Sequence, residues 1–175
     1  LPGGLKGGMV TDENEDVKKK RFDVRELIML QKIAASKDST DVIRTAMSVF
    51  GGHGVMEDFS SLPRLFRDSA INELWEGPRN VLLTQMHRDF QKVSIWYKPS
   101  EFVRNILNGA DEDAITSLAR EMEELIAHPN LFTMDEETIS ICSRWDDFSH
   151  RLFHAYQDRA LIEVESVFES ATPDE

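Results

Sequence analysis

Cysteine is almost absent from this 175-residue sequence, in which Cys142 is the only one. A single cysteine excludes an internal disulfide and cannot form a thiolate metal site by itself. Long apolar runs are missing too, because no stretch approaches the roughly 18 uninterrupted apolar residues that a membrane-spanning helix needs. We therefore expect a protein without a membrane span. A reducing, cytoplasmic location fits the cysteine content.

Strand-like alternation is also missing, since no run alternates apolar and polar residues over the length of a strand. Apolar residues recur instead at steps of three and four, which is typical of amphipathic helices. The sequence therefore predicts an all-α fold, a helical bundle. Helices are expected at residues 22–50, 69–96, 102–107, 111–126 and 135–169. Gly51 and Gly52 end the first of them, and residues 51–68 are expected to form a loop. The polar residues 37–40 are either an exposed turn of the first helix or a short break in it.

The chain divides into three parts by composition. The first 20 residues contain four Gly, one Pro and a run of charges, so residues 1–21 are expected to be flexible. Residues 22–97 form the first helical part, and residues 98–175 form an acidic helical extension. This extension has 6 Lys or Arg against 18 Asp or Glu and so carries the whole net charge of −12. Binding to nucleic acid requires clustered cations, and we do not expect it here.

An ordered set of motifs lies between Phe50 and Asn80. It consists of Gly51-Gly52-His53-Gly54, Glu57-Asp58, Arg67-Asp68, Ile71 and Trp75-Glu76-Gly77. In this order the segment resembles the C-terminal signature of acyl-CoA dehydrogenases. In that family a helix ends in a GGxGY-like sequence, an acidic loop and an R-D-x-x-I motif follow, and the next helix carries an aromatic-E-G-T segment. The LPRLFR and NELWEG sequences are similar to the branch that includes alkylation-response flavoproteins. Residues 22–97 then correspond to the last two helices of the family's C-terminal domain.

This resemblance implies an FAD-dependent oxidation of an acyl-CoA thioester, with Glu76 at the position of the catalytic base. A carboxylate suits that role, because the α-proton must be removed while the β-hydrogen leaves as a hydride to the flavin. The resemblance also implies contacts with FAD from Gly51, Gly52, Gly54, Trp75, Gly77 and Asn80. The glycines are equally explained as helix stops, and Trp75 as a core residue. These alternatives stay open.

Pro78 departs from the family pattern, which usually has Thr or Ser at this position. Proline offers neither a hydroxyl nor an N–H to a cofactor, so the implied FAD contact is weakened here. Segments that match the family's N-terminal helical domain and middle β-domain are not found, and we expect a part of a longer protein. The implied partners of that parent are an acyl-CoA substrate, an electron acceptor and further copies of itself in a homo-oligomer. The alternative is a non-catalytic helical interaction or oligomerisation module that keeps the family scaffold.

His150 and His154 are four residues apart and share one face of the last predicted helix. The intervening sequence lacks the Glu of an HExxH motif, and the second ExxH motif of a carboxylate bundle is missing. No metal site is therefore expected.

The isolated chain is expected to bind FAD poorly or not at all and to self-associate, because two amphipathic helices bury little surface alone. Visible absorbance after incubation with FAD and desalting measures the first property. Light scattering during size-exclusion chromatography measures the second. A yellow, flavin-loaded sample with dehydrogenase activity would contradict the first expectation, and a strictly monomeric chain would contradict the second.

Overall fold

The computed structural model of the protein describes residues 14–171. Six α-helices and one short 3-10 helix form this part of the chain, and it contains no strand. They are α1 (Glu15–Val49), the 3-10 helix (Gly51–Val55), α2 (Leu62–Asn72), α3 (Arg79–Val93), α4 (Pro99–Ile106), α5 (Glu112–Ile126) and α6 (Glu136–Ala171). The predicted all-α fold is confirmed. None of the described helices is both long and apolar enough to cross a membrane.

α1 begins at Glu15, earlier than the sequence predicts. The side chain of Asn14 accepts a hydrogen bond from the amide of Asp16 at 3.0 Å and so caps the helix. Glu15 and Asp16 also place negative charge at the positive end of the helix dipole. The expectation of a flexible segment is therefore wrong for residues 15–21, whereas residues 1–13 lie outside the described residues.

α1 runs without a break through residues 37–40, which decides between the two alternatives left by the sequence. Ser36 and Thr40 are buried there, and the hydroxyl of Thr40 donates to the carbonyl of Ser36 at 3.1 Å. Lys37 forms an ion pair with Asp41 one turn further on, at 2.6 Å. The polar groups are thus satisfied within the helix, which continues.

The single helix predicted at residues 69–96 is wrong, since the structure has two helices there. α2 ends at Asn72 and α3 begins at Arg79. The turn between them contains Gly77, with a φ of 100°, and Pro78, which lacks the N–H that a continuing helix would use. The apolar spacing on both sides of this turn is helical, so periodicity alone did not reveal the interruption.

The loop predicted at residues 51–68 also needs correction, because it contains the 3-10 helix and the start of α2. Pro63 lies in the first turn of α2. A proline is tolerated at that position, since the first amides of a helix have no partner within it. The proline therefore marks a helix start here and not a loop interior.

One hydrophobic core joins the two halves of the chain. Phe22 of α1 meets Phe90 of α3 edge to face, with ring centroids 5.1 Å apart. Phe90 in turn meets Phe102 of α4 at 4.8 Å. Beside them the buried hydroxyl of Tyr97 donates to Asp23 of α1 at 2.7 Å. These contacts pack the start of the acidic extension directly against α1 and α3.

α6 covers a second part of the same helices. Trp145, Phe148 and Leu152 are almost completely buried. The indole N–H of Trp145 donates to the carbonyl of Leu83 in α3 at 2.9 Å, so the polar atom of this large side chain is satisfied. The second half of the chain thus covers apolar faces that α1 and α3 would otherwise expose to water.

Glu26 of α1 is fully buried, and neither of its carboxylate oxygens has a hydrogen-bond partner among the described residues. Burial raises the pKa of Glu26 from 4.5 to about 8. The negative charge of Asp89 adds to this effect, and the positive charge of Arg25 opposes it. At neutral pH Glu26 is therefore protonated in the folded chain and ionised in the unfolded chain.

We expect the free energy of unfolding to fall as the pH rises from about 5 to about 8. In this range unfolding releases the Glu26 proton, so each pH unit costs up to about 1.4 kcal/mol of stability. Glu26→Gln, which carries no titrating proton, should remove this dependence and raise the stability near pH 8. Urea unfolding at several pH values measures it.

The matched control is Glu165→Gln, which changes an exposed residue of α6 and should keep the original pH dependence. Equal pH dependence in the Glu26→Gln variant and the unmodified chain would contradict this account of Glu26.

Candidate functional site

The turn between α2 and α3 carries the residue predicted to be the catalytic base. Glu76 lies in this turn and not on a helix, and its φ is 51°. No other described non-glycine residue has a positive φ. Such a conformation costs on the order of 1 kcal/mol or more and persists only where the surroundings enforce it. Glu76 is exposed here, so its carboxylate is available to a group that approaches from outside the described chain.

Gly77 and Pro78 hold the Glu76 turn in place. A Cβ on Gly77 would lie 2.8 Å from Leu82 Cδ2, and the φ of 100° also requires glycine. The carbonyl of Pro78 accepts hydrogen bonds from the amides of Val81 (2.9 Å) and Leu82 (3.0 Å), which starts α3. The local fold thus requires glycine at position 77, whereas at position 78 it uses only the backbone carbonyl, which any residue supplies.

Arg79 fixes this turn to the rest of the molecule. Its Nε donates to Asp146 of α6 at 2.6 Å, and its Nη1 donates to the carbonyl of Ile33 in α1 at 3.2 Å. Three helices therefore meet at one half-buried guanidinium. The sequence alone does not single out Arg79, because Asp146 lies 67 residues away and no local pattern connects the two.

The other side chains predicted near the cofactor border the same turn. Trp75 is 53% exposed, and its indole N–H donates to the side chain of Asn72 at 3.1 Å. It is therefore not the core residue that the alternative interpretation allowed. Asn80 is exposed at the start of α3, where it lines a groove shared with Leu83 and Trp145. Trp75, Glu76 and Asn80 thus lie within one short stretch, with exposed side chains.

The three glycines of the GGxG motif differ in whether the fold requires a glycine at their position. Gly51 ends α1 with a φ of 56°. Gly54 is buried, and a Cβ there would lie 2.0 Å from the carbonyl oxygen of Met47. For Gly52 no described atom lies within 4 Å of the place of a Cβ. The fold of this chain therefore requires glycine at positions 51 and 54, whereas no contact within the described residues requires it at position 52.

The structure does not bring the GGxG turn and the Glu76 turn together. Gly54 packs against Met47 near the end of α1. The Glu76 turn lies beside the middle of α1, where Arg79 contacts Ile33 and the Lys32 ammonium donates to the carbonyl of Asn72. At about 1.5 Å per residue, these two places on α1 are roughly 20 Å apart. The two motifs therefore cannot contact the same small group.

The Arg67-Asp68 motif contributes one side chain to an ion pair across the loop. Arg67 pairs with Glu57 of the acidic motif, at 2.6 Å. Both side chains are more than half exposed, so the pair contributes at most about 1 kcal/mol.

Residues 11–91 match the sequence model of a family described as "Acyl-CoA dehydrogenase, C-terminal domain". Acyl-CoA dehydrogenase family member 11 of Caenorhabditis elegans is 27% identical over 61% of this chain and 19% of that protein. The putative acyl-CoA dehydrogenase AidB of Escherichia coli is 36% identical over 35% of this chain and 11% of that protein. Cyclohexane-1-carbonyl-CoA dehydrogenase of Geobacter metallireducens is 30% identical over 38% of this chain and 17% of that protein.

The chain spans less than a fifth of the length of these curated relatives. No solved structure gives a significant match to it. The matched region begins before α1 and ends within α3, so it contains the GGxG turn, α2 and the Glu76 turn. Residues 11–91 of this chain therefore match the C-terminal helical domain of acyl-CoA dehydrogenases.

Proposed function

We propose that this chain is the C-terminal part of an FAD-dependent acyl-CoA dehydrogenase-like oxidoreductase in which Glu76 removes the α-proton of an acyl-CoA thioester. The observation that carries the proposal is the conformation of the Glu76 turn. A non-glycine residue with a φ of 51° stands in a turn tied to α1 and α6 through Arg79, with its carboxylate exposed. A left-handed residue held by its surroundings is typical of functional positions.

In this proposal Glu76 acts as a general base. Its carboxylate takes the α-proton. The turn fixes the backbone of Glu76 in a left-handed conformation. When FAD is bound, it accepts the hydride that leaves the β-carbon. Arg79 acts as a positioning residue. It directly follows the turn that contains Glu76, and its hydrogen bonds to Asp146 and Ile33 fix that end of the turn.

We expect three residues of this chain to contact FAD and a fourth, Pro78, not to contribute a hydrogen bond. Gly52 lets another group approach its backbone without meeting a described atom. Trp75 presents a half-exposed indole, and Asn80 presents an exposed amide. Pro78 adds no donor. In the family that this segment resembles, the GGxG glycines lie against the FAD of a neighbouring subunit, and the separation of the two turns is compatible with Glu76 and the GGxG turn contacting different flavins.

Large apolar side chains are exposed in and near both turns, namely Val49, Phe50, Val55, Met56, Phe59, Leu65, Ile71, Leu74, Trp75 and Val81. An exposed surface rich in such side chains is typical of interaction sites. We infer that further parts of the parent protein or a second subunit cover this surface and complete the site. A cytoplasmic homo-oligomer that uses acyl-CoA and a separate electron acceptor is part of the same proposal.

The second candidate is a non-catalytic helical interaction module. Pro78 favours it, because the position offers no hydrogen bond to a cofactor. The core shared between the family region and α4–α6 favours it too, since the described helices pack around one common core. Activity measurements on Glu76 separate the two candidates.

Glu76→Gln in the parent protein should lower kcat/KM for acyl-CoA substrates by about 10²–10⁴, because the amide cannot accept the α-proton. Reduction of an artificial electron acceptor with acyl-CoA of several chain lengths measures this. Flavin absorbance should stay unchanged, since Glu76 is not expected to hold the cofactor.

The control is Glu73→Gln, which changes a neighbouring carboxylate of the same turn and should keep the activity. Full activity in the Glu76→Gln variant would contradict the proposed role of Glu76 as the catalytic base. A parent that binds no flavin and turns over no acyl-CoA would favour the interaction module.

Gly52→Ala and Gly54→Ala should have different effects, although both add one methyl group. The methyl on Gly54 meets the Met47 carbonyl at 2.0 Å, so we expect a loss of roughly 2–4 kcal/mol of stability. The methyl on Gly52 meets open space, so stability should change by less than about 1 kcal/mol. FAD retention by the parent should nevertheless weaken.

Thermal unfolding and flavin titration of the two parent variants measure these effects. Normal flavin affinity in the Gly52→Ala variant would remove Gly52 from the proposed cofactor contacts. Normal stability in the Gly54→Ala variant would show that its glycine is not required by packing.

A further inference from the structure

Three potential metal ligands converge where α6 crosses α1. Asp38 Oδ1 lies 3.0 Å from His150 Nε2, and Asp38 Oδ2 lies 3.2 Å from His154 Nε2. The two Nε2 atoms are themselves 3.2 Å apart. One ligand atom of each residue falls within a cluster less than 4.8 Å across. The sequence placed the two histidines on one helix face, but Asp38 is 112 residues from His150 and was not connected with them.

These three separations are close to the edges of a coordination tetrahedron. Zinc binds histidine nitrogen and carboxylate oxygen at about 2.0–2.1 Å, which puts neighbouring ligand atoms of a tetrahedral site about 3.3–3.4 Å apart. The 3.2 Å between the two Nε2 atoms fits such an edge, whereas the 3.0 and 3.2 Å contacts of Asp38 are made by its two different oxygens, so the carboxylate must turn to present one of them to the ion.

Hydrogen bonds alone satisfy at most two of the three contacts. Each Nε2 either carries a proton or does not. If both carry one, both donate to Asp38 and the contact between His150 and His154 joins two donors. If one does not, that nitrogen cannot donate to Asp38. A cation bound to both Nε2 atoms and to the Asp38 carboxylate removes the conflict, because both imidazoles then present unprotonated Nε2 atoms.

We propose that Asp38, His150 and His154 bind a divalent transition-metal ion, with Zn²⁺ as the ion that fits best. Two imidazoles and one carboxylate suit zinc and its neighbours, whereas magnesium and calcium prefer oxygen ligands alone. The three side chains are 36%, 29% and 42% exposed, which leaves room for water as the fourth ligand.

The surrounding charges are compatible with a cation at this site. Asp41, one turn along α1 from Asp38, is already paired with Lys37 and Arg44, each at 2.6 Å. The two nearest cations of α1 are therefore held at Asp41. A divalent ion beside a single ligating carboxylate leaves the site with one net positive charge in a chain whose net charge is −12.

Such an ion would join the family region to the extension. Asp38 lies within residues 11–91, which match the family, and both histidines lie in α6 beyond them. The site is a cross-link between two parts of the chain and is independent of the reaction proposed for Glu76.

The test uses the untagged full chain, stripped with a chelator and titrated with ZnCl2 in a calorimeter. We expect about one ion per chain with a Kd of order 1 μM. Zinc at about 100 times that Kd should raise Tm by roughly 5–10 °C. Co²⁺ should give the intense visible bands of tetrahedral coordination by nitrogen and oxygen. A Kd weaker than about 1 mM, or no change in Tm, would overturn the proposal.

Asp38→Asn, His150→Gln and His154→Gln should each raise the Kd for zinc at least about 100-fold. His53→Gln removes an exposed histidine elsewhere and should leave the Kd unchanged. Far-UV circular dichroism establishes that each variant folds. Should a histidine variant unfold, Asp38→Asn still decides the question, because it retains the shape of the side chain. Zinc affinity or cobalt bands that are unchanged in Asp38→Asn would refute the site.

Discussion

The buried stripe of α1 is the constraint on which the described structure depends. Leu30, Ile33 and Ala34 are nearly inaccessible to water, and a helix of 35 residues is stable only when such a stripe is covered. The 3-10 helix, α2, α3 and α6 all contact α1. Arg79 donates to the carbonyl of Ile33 within this stripe, so the Glu76 turn takes its position from the same helix that organises the core.

This arrangement changes how the family motif should be understood. A base carried on a regular helix would have its direction set by helical geometry alone. In this chain the backbone of the motif is shaped by two residues with positive φ, Glu76 and Gly77, in the turn between α2 and α3. Leu82, which leaves no room for a Cβ on Gly77, is thus as much a part of the motif's geometry as the residues within it.

Much of the fold could be predicted from the sequence, and the reasons are local. Glycine after an apolar helical pattern marked the end of α1 at Gly51, and Asp111 before α5 accepts the capping hydrogen bond that its position suggests, from the amide of Ala114 at 2.9 Å. The start of α1 was missed because a Gly-rich segment before it outweighed the capping side chain of Asn14. The interruption between α2 and α3 was missed because apolar spacing is insensitive to a six-residue turn at residues 73–78.

What could not be predicted from the sequence depends on long-range pairing. The partner of Arg79 is Asp146, and the partner of both α6 histidines is Asp38. No spacing rule links residues so far apart, because their distance is fixed only when α6 packs on α1. The candidate base at Glu76 was found because its motif is local, whereas the residues that position it were not.

The edge-to-face ring of Phe22, Phe90 and Phe102 has a further consequence for the architecture of the gene product. The match to the family's domain model ends at residue 91, but the hydrophobic core does not. A truncation placed at residue 91 would cut through a single packed unit and leave Phe22 and Phe90 in water. The end of the domain match and the end of the packed core are therefore at different places.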